Sequence, residues 1–436
     1  MSNFNVKFSA LTALFLIVLN TIMPTYAQPN NSLLQEDDWG DDAWADEAAS
    51  PWTVTGFTEA AYGQFIQSNV VKSSASLSEL RARLEVNYSS SSFELTASGD
   101  AIYDDVLNDT FWQTKELNIA ASPFSNVDIK LGRQVLTWGT GDYVFLNDLF
   151  AKDWQSFFSG RDDEYLKAAS DSVRVTSYWD GITVDLAWTP EFTPDKYLTG
   201  ERFSFYSPFI KGNVAPADHF SVEQTNDAQF SARLATTVKG VEYALYGYQG
   251  FWTTPVGNNK DNIPYFPKMN AWGGSARTPL ASGIFNVEFS YYNSIEDSQG
   301  DKANIPNSQI RALIGYEQEA VKNLTLGLQY YIEKTEDYNE FTRSNLFADE
   351  QVDQYRQLAT MRLRYSTLQQ KLIYSLFAFY SPTDNDSYIK PSIDYRYDDN
   401  FSFSAGANIF WGKDAYTFFG QHQDNSNVWL RARFTF

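Results

Sequence analysis

The chain has 436 residues, no cysteine, 33 basic against 54 acidic side chains and a net charge of −21. Without cysteine there is no disulfide scaffold, thiol nucleophile or cysteine-ligated zinc, and the negative balance opposes the Lys/Arg clusters that nucleic acid requires. Aromatic residues make up 17% of the chain, too many for a disordered chain, and the polar mean hydropathy excludes a bundle of membrane helices.

The first element is a secretory signal at residues 1–27. Lys7 precedes the apolar run Ala10 to Leu19, and Thr25-Tyr26-Ala27 offers small residues for cleavage after Ala27. The run is about half of the roughly 20 residues that span a bilayer, so it reads as a leader and not an anchor. Residues 28–51 follow as an acidic, flexible segment. Glu36, Asp37, Asp38, Asp41, Asp42, Asp46 and Glu47 stand there without one basic residue. Trp39 and Trp44 leave open a second role, as anchors for a partner or a plug at a barrel mouth. The spacing of a calcium loop, with its glycine and closing glutamate, is absent.

From Trp52 to Phe436 the pattern has period two. Leu80, Ala82, Leu84, Val86 and Tyr88 share one face, while Arg81, Arg83, Glu85 and Asn87 share the other. The same split recurs at Phe93 to Ala101, Ile182 to Trp188, Leu324 to Ile332, Met361 to Tyr365 and Phe401 to Ile409. With no other apolar stretch long enough for a membrane helix, any insertion must be by closed strands. The pattern predicts an all-β fold: a transmembrane antiparallel up-and-down β-barrel of about 18 strands, alternatively 16, with both termini periplasmic.

The connections alternate too. Ser89–Ser92, Pro123–Asn126, Asp180-Gly181, Lys239-Gly240, Pro279–Gly283 and Asp398–Asn400 are tight turns, whereas Trp138–Ala169, Pro190–Thr225 and Glu336–Gln354 are long loops. A secreted β-sandwich or solenoid would alternate in the same way along its strands. Against it stand aromatic residues at strand ends, among them Tyr88, Tyr103, Trp179, Trp188, Tyr316 and Trp411, as interfacial girdles. The last strand, Val428, Leu430, Ala432, Phe434 and Phe436, alternates to a terminal phenylalanine. That ending is similar to the assembly signal of bacterial outer-membrane proteins.

The stretch Leu131-Gly132-Arg133-Gln134-Val135-Leu136-Thr137-Trp138-Gly139 resembles a strand end of a broad outer-membrane porin-like superfamily. That superfamily includes alginate-export-like channels and uncharacterised porins associated with RND-type transporters. The resemblance covers the body in architecture, but in motif only this stretch and the loop to Trp154; it implies a barrel more than a solute. By parity Arg133 falls with Ile129 and Leu131 on the lipid face, where a charge is costly. A bulge at Gly132 is therefore expected, turning Arg133 inward to pair with Asp142 or Asp148. Trp138 to Asp142 is glycine-rich, but no lysine follows and no parallel strand precedes it, so it is a loop entry and not a phosphate cradle.

Parity sends Arg81, Arg83, Arg362, Arg364, Arg396, Arg431 and Arg433 into the lumen as a basic wall, since the last strand closes on the first. Glu85, Glu94, Asp100, Glu116 and Glu333 are expected to face the same lumen. Such charges either select anions, as Arg forks do well, or pair across strands to stabilise a polar interior. Loop Trp138–Ala169 mixes Phe145, Leu149, Phe150, Trp154, Phe157 and Phe158 with charges, and its aromatics need burial, either by folding into the lumen mouth or against neighbouring outer loops. Arg133, Asp142, Asp148, Trp154 and Arg161 are its constriction candidates.

The sequence therefore predicts an outer-membrane channel for passive passage of hydrophilic, possibly anionic, small solutes. Alternatives are a partner for export or transfer of lipid, hydrophobic molecules or polysaccharide, and a surface receptor using Pro190–Thr225. Expected partners are outer-membrane lipids and lipopolysaccharide, the barrel assembly machinery and small solutes. No enzyme, cofactor or metal site is expected. The two histidines, His219 and His422, lie in expected outer loops and read as solvated.

Overall fold

Alternating side chains on extended backbone can bury one face only if each strand finds a partner on both edges. In the computed structural model, which describes residues 50–215, 221–347, 350 and 352–436, 18 strands achieve this by closing into one antiparallel barrel. They are β1 (Trp52–Phe65), β2 (Ala75–Ser89), β3 (Glu94–Asp104), β4 (Asp109–Phe124), β5 (Val127–Val135), β6 (Ala169–Trp179) and β7 (Ile182–Thr189). The short hairpin β8 (Phe205–Ser207) and β9 (Gly212–Val214) interrupts before β10 (Gln229–Val238) and β11 (Val241–Phe251). A second, β12 (Gly257–Asn258) with β13 (Pro264–Tyr265), precedes β14 (Lys268–Leu280), β15 (Gly283–Ser294), β16 (Gln309–Val321) and β17 (Leu324–Thr335). The wall ends with β18 (Tyr355–Thr367), β19 (Leu372–Ser381), β20 (Asp386–Arg396), β21 (Phe401–Gly412) and β22 (Asn427–Thr435).

β22 pairs with β1 from Phe57↔Thr435 to Phe65↔Asn427, so the barrel has no free edge. This sets aside the alternative of 16 strands. The alternating runs from Ile182, Leu324 and Phe401 open strands β7, β17 and β21.

One rim carries the tight turns and the other the long loops. At the turn rim, Asp180 (φ 43°) with Gly181 (82°), and Lys239 (52°) with Gly240 (81°), make two-residue hairpins with both residues left-handed. Both ends of the wall, Trp52 beside Tyr88 and Thr435 beside Phe57, lie on this rim. Outside, Leu84, Leu117, Leu186, Leu245, Phe289, Leu328 and Leu430 form an exposed apolar belt. Aromatics bound it, with Trp52, Phe124 and Trp179 on the turn side and Trp112, Trp188, Trp272 and Trp411 on the loop side. Hydrocarbon demands such a surface. Among the described residues no helix is long and apolar enough to cross a membrane.

The expected bulge at Gly132 is not there. Pairing runs unbroken through it, Asn118↔Gly132 on one side and Gly132↔Ser172 on the other. Gly132 instead takes φ +118°, and an added Cβ would sit 2.3 Å from the Leu117 carbonyl oxygen. Arg133 therefore stays on the outward face opposite Leu117, and pairs with Asp171 at 2.7 Å. The pair is tolerated because it lies at the loop-side ends of β5 and β6, where polar groups replace hydrocarbon. The irregularity falls on the neighbouring β4, where the register shifts between Ser98↔Glu116 and Gly99↔Thr114 and leaves Lys115 unpaired in the ladder.

Candidate functional site

Loop 136–168, between β5 and β6, folds into the lumen and crosses it. It holds the short helix α1 (Trp154–Ser159), capped by the Asp153 side chain accepting from the Ser156 N–H and ended by Gly160 at φ 86°. Phe157, Phe158, Leu146 and Leu166 pack with inward wall residues Leu313, Tyr331, Leu358, Phe377, Phe379, Tyr388 and Phe410 in a buried core inside the barrel. Phe158 stands edge-on to Tyr388 at 5.6 Å and to Phe410 at 5.1 Å. Burial of these rings, each about 3 kcal/mol or less, is what holds the loop down.

Polar contacts fix its register. The Glu288 carboxylate accepts from the Thr140 and Gly141 N–H groups and from the Asn147 amide, and the Tyr292 hydroxyl donates to the Leu146 carbonyl at 2.6 Å. Asp142 meets Arg362 at 3.3 Å, and Arg362 also pairs with Glu317. Burial raises the Asp142 carboxyl's pKa, against the pull of Arg362. Asp163 pairs with Lys390 and accepts from the Tyr143 hydroxyl.

Arg161 pairs with Glu79 in the wall. Asp162 takes Arg431 at 3.1 Å. Burial alone would raise the Asp162 carboxyl, but Arg431 and Arg433 hold it below the usual range. Asp148, expected as a partner of Arg133, binds Lys152 at 3.0 Å and Thr137 at 2.8 Å instead. The Trp154 indole donates to Asp195. Of the constriction candidates, Asp142, Asp148, Trp154 and Arg161 are brought together in the lumen and Arg133 is not.

The basic wall is an alternating network. Arg433 binds Glu59 at 2.8 Å and Glu164 at 3.2 Å; Arg83 binds Glu164 at 2.7 Å and Asp100 at 2.6 Å. Arg81 shares Asp100 and reaches Glu79. Glu116 faces Lys130 at 3.5 Å and Glu333 faces Arg311 at 3.2 Å. Glu85 and Glu94 line the turn side, each held by a neighbouring polar side chain. Only Arg364 and Arg396 of the wall carry no ion pair among the described residues. A cavity of about 150 Å³ opens beside Arg396, Arg431, Arg433, Lys371, Glu59 and Asp162 below the loop.

Sequence reasoning missed Glu59, Lys115, Arg202 and Asp195. Glu59 was legible, since it shares the parity of Phe57 and Ala61 on β1. Lys115 depends on the β4 bulge, which places its ammonium 4.8 Å over the Tyr165 ring. Arg202, 2% exposed, comes down from the loop after β7 onto Glu79 and Asp104, so part of the stretch expected to form an outer binding face is tucked inside. His422 is buried against Phe158 and Phe410, not solvated, and burial lowers its imidazole to about 4. His219 and the leader and acidic segments, up to residue 49, lie outside the described residues.

No protein-family model and no curated protein matches the chain. Solved structures do. OccD3 (OpdP) of Pseudomonas aeruginosa superposes with a TM-score of 0.52 at 12% identity, over 88% of this chain and 91% of that one. OccAB3 of Acinetobacter baumannii gives 0.54 at 11%, over 89% and 99%. OccAB4 of the same organism gives 0.53 at 11%, over 88% and 97%. These neighbours are outer-membrane porins, and the chain has their fold, that of a porin-like β-barrel.

Proposed function

We propose that this protein is a channel of the Gram-negative outer membrane that passes small hydrophilic solutes, with the tight-turn rim and both ends of the wall in the periplasm. The carrying observation is a closed barrel with an apolar, girdled exterior and an inward face of charged side chains that stay partly open to solvent on the turn side, such as Arg362 and Glu317. The porin fold supports the reading. Removal of residues 1–27 and contact with lipopolysaccharide and the assembly machinery belong to the same proposal.

The solutes are anionic by this reading, because Arg364 and Arg396, which carry no ion pair among the described residues, stand on the same arc as Arg431 and Arg433. The paired network elsewhere is structural. A second reading, a surface receptor or transfer partner, draws on the aromatic plug packed inside the lumen. Catalysis has little support. Buried His422 bonds only Asn425 among the described side chains.

The test is conductance of the purified protein in planar bilayers under a salt gradient. An open, anion-leaning current that loses at least half of its anion preference in Arg364→Gln/Arg396→Gln is expected. Silence under every voltage and pH would sink the channel and leave the receptor.

A further inference from the structure

Beyond the charges that face the passage, one carboxylate inside the loop cluster takes its hydrogen bonds from loop residues. Asp195, in the loop between β7 and β10, is 5% exposed. Its Oδ1 accepts the Lys152 N–H at 2.8 Å; its Oδ2 accepts the Trp154 indole N–H at 3.0 Å and the Thr253 hydroxyl at 3.0 Å. The backbone repeats the tie: Asp195 N–H donates to the Thr253 carbonyl at 2.9 Å, and Lys196 N–H to the Lys152 carbonyl at 2.8 Å. One carboxyl thus joins the plug, the loop after β7 and the loop after β11, at the residues that lead into α1.

We propose that Asp195 is a proton-operated latch on the lumen plug, which grips more tightly when its carboxyl is protonated and loosens when it ionises. Three donors can satisfy an ionised carboxylate, but nothing around Asp195 neutralises it directly. Lys152 is the nearest cation, and its ammonium is turned to Asp148 at 3.0 Å and the Phe150 carbonyl at 2.7 Å. Lys196 is paired with Asp153 at 3.0 Å. Tyr248 of β11 spends its hydroxyl on the Phe251 carbonyl at 3.0 Å. Burial therefore dominates and lifts Asp195 to about 6. On protonation its new O–H has the Thr253 hydroxyl oxygen as acceptor.

The sign follows from linkage. The latched carboxyl holds its proton to about 6, while a released, hydrated one has the ordinary 3.8. Acid therefore favours the latched state, and the gain from pH 7 to pH 5 is about tenfold in the latched-to-released ratio. His422 works in the opposite sense at the far side of the plug, because its buried imidazole resists protonation. The contribution of Asp195 is isolated by comparing the native chain with Asp195→Asn, where His422 acts equally.

The experiment is hydrogen–deuterium exchange of the segment 150–158 in the detergent-solubilised full chain, corrected for intrinsic rates, at pH 7 and pH 5. The native-to-variant ratio of protection should rise about tenfold on acidification; a ratio unchanged with pH overturns the latch. Thr253→Val keeps the carboxyl and removes a bond from both of its forms; because the bond to the charged carboxylate is the stronger, the native midpoint near 6 should move upward, and an unmoved midpoint also overturns the latch. Gating of current rests on the channel reading, but exchange does not. If exchange shifts while bilayers stay silent, the latch stands and the channel falls. If bilayers conduct while exchange is flat, the latch falls alone.

Discussion

Arg133 shows how one residue can be misplaced by a sound rule. The cost of a charge in lipid depends on depth, about 2–4 kcal/mol at the midplane and near zero at the interface. Sequence parity gives the face but not the depth. Arg133 lies two residues from the end of β5, with Asp171 across the ladder, so it remains outside and no bulge is needed. Gly132 is required for a different reason. With φ +118° and the Leu117 oxygen where a Cβ would be, Gly132→Ala should destabilise the barrel by about 1–3 kcal/mol. A urea titration of the folded protein in detergent micelles checks this, and an unchanged midpoint would refute it.

At the scale of elements, the strands were legible in the sequence and the plug's seat was not. A strand announces itself by period two over about ten residues, and the starts of β7, β17 and β21 coincide with the pattern. The loop 136–168 has no period. Its aromatics said that it must be buried, but not that Phe158 meets Phe410, or that Asp163 meets Lys390, hundreds of residues on. The same limit hid Asp195 and Arg202, whose partners are fixed by loop geometry. Glu59 could have been found by extending the alternation to β1. Because the plug is held by ring packing, Phe158→Ala should loosen it by about 3–5 kcal/mol without opening the wall. The measurement is exchange protection of 154–166, expected to fall sharply while β-sheet circular dichroism is retained. Equal protection in the two proteins would refute the packing account.

At the scale of the whole molecule, closure rests on one seam, β1 with β22. Phe436 extends it: its N–H donates to the Gly56 carbonyl and its carbonyl accepts the Gly56 N–H, both at 3.0 Å. Deleting Phe436 removes two hydrogen bonds of about 1 kcal/mol each, and the ring that packs over Gly56. The folded fraction after refolding into micelles, read as the compact band on unheated gels, should drop. An undiminished band would show that the seam does not need the terminal residue.

The seat of the plug also ties it to the seam. The loop leaves the wall after β5, yet Phe158 rests on Phe410 of β21, and Gly160 lies so close to the Trp429 ring of β22 that a Cβ would collide with it. Strands β16 to β20 supply most of the seat, and β21 and β22 complete it. The plug's last contacts and the closing seam draw on the same strand β22, so a change that weakens the seam should also loosen the plug.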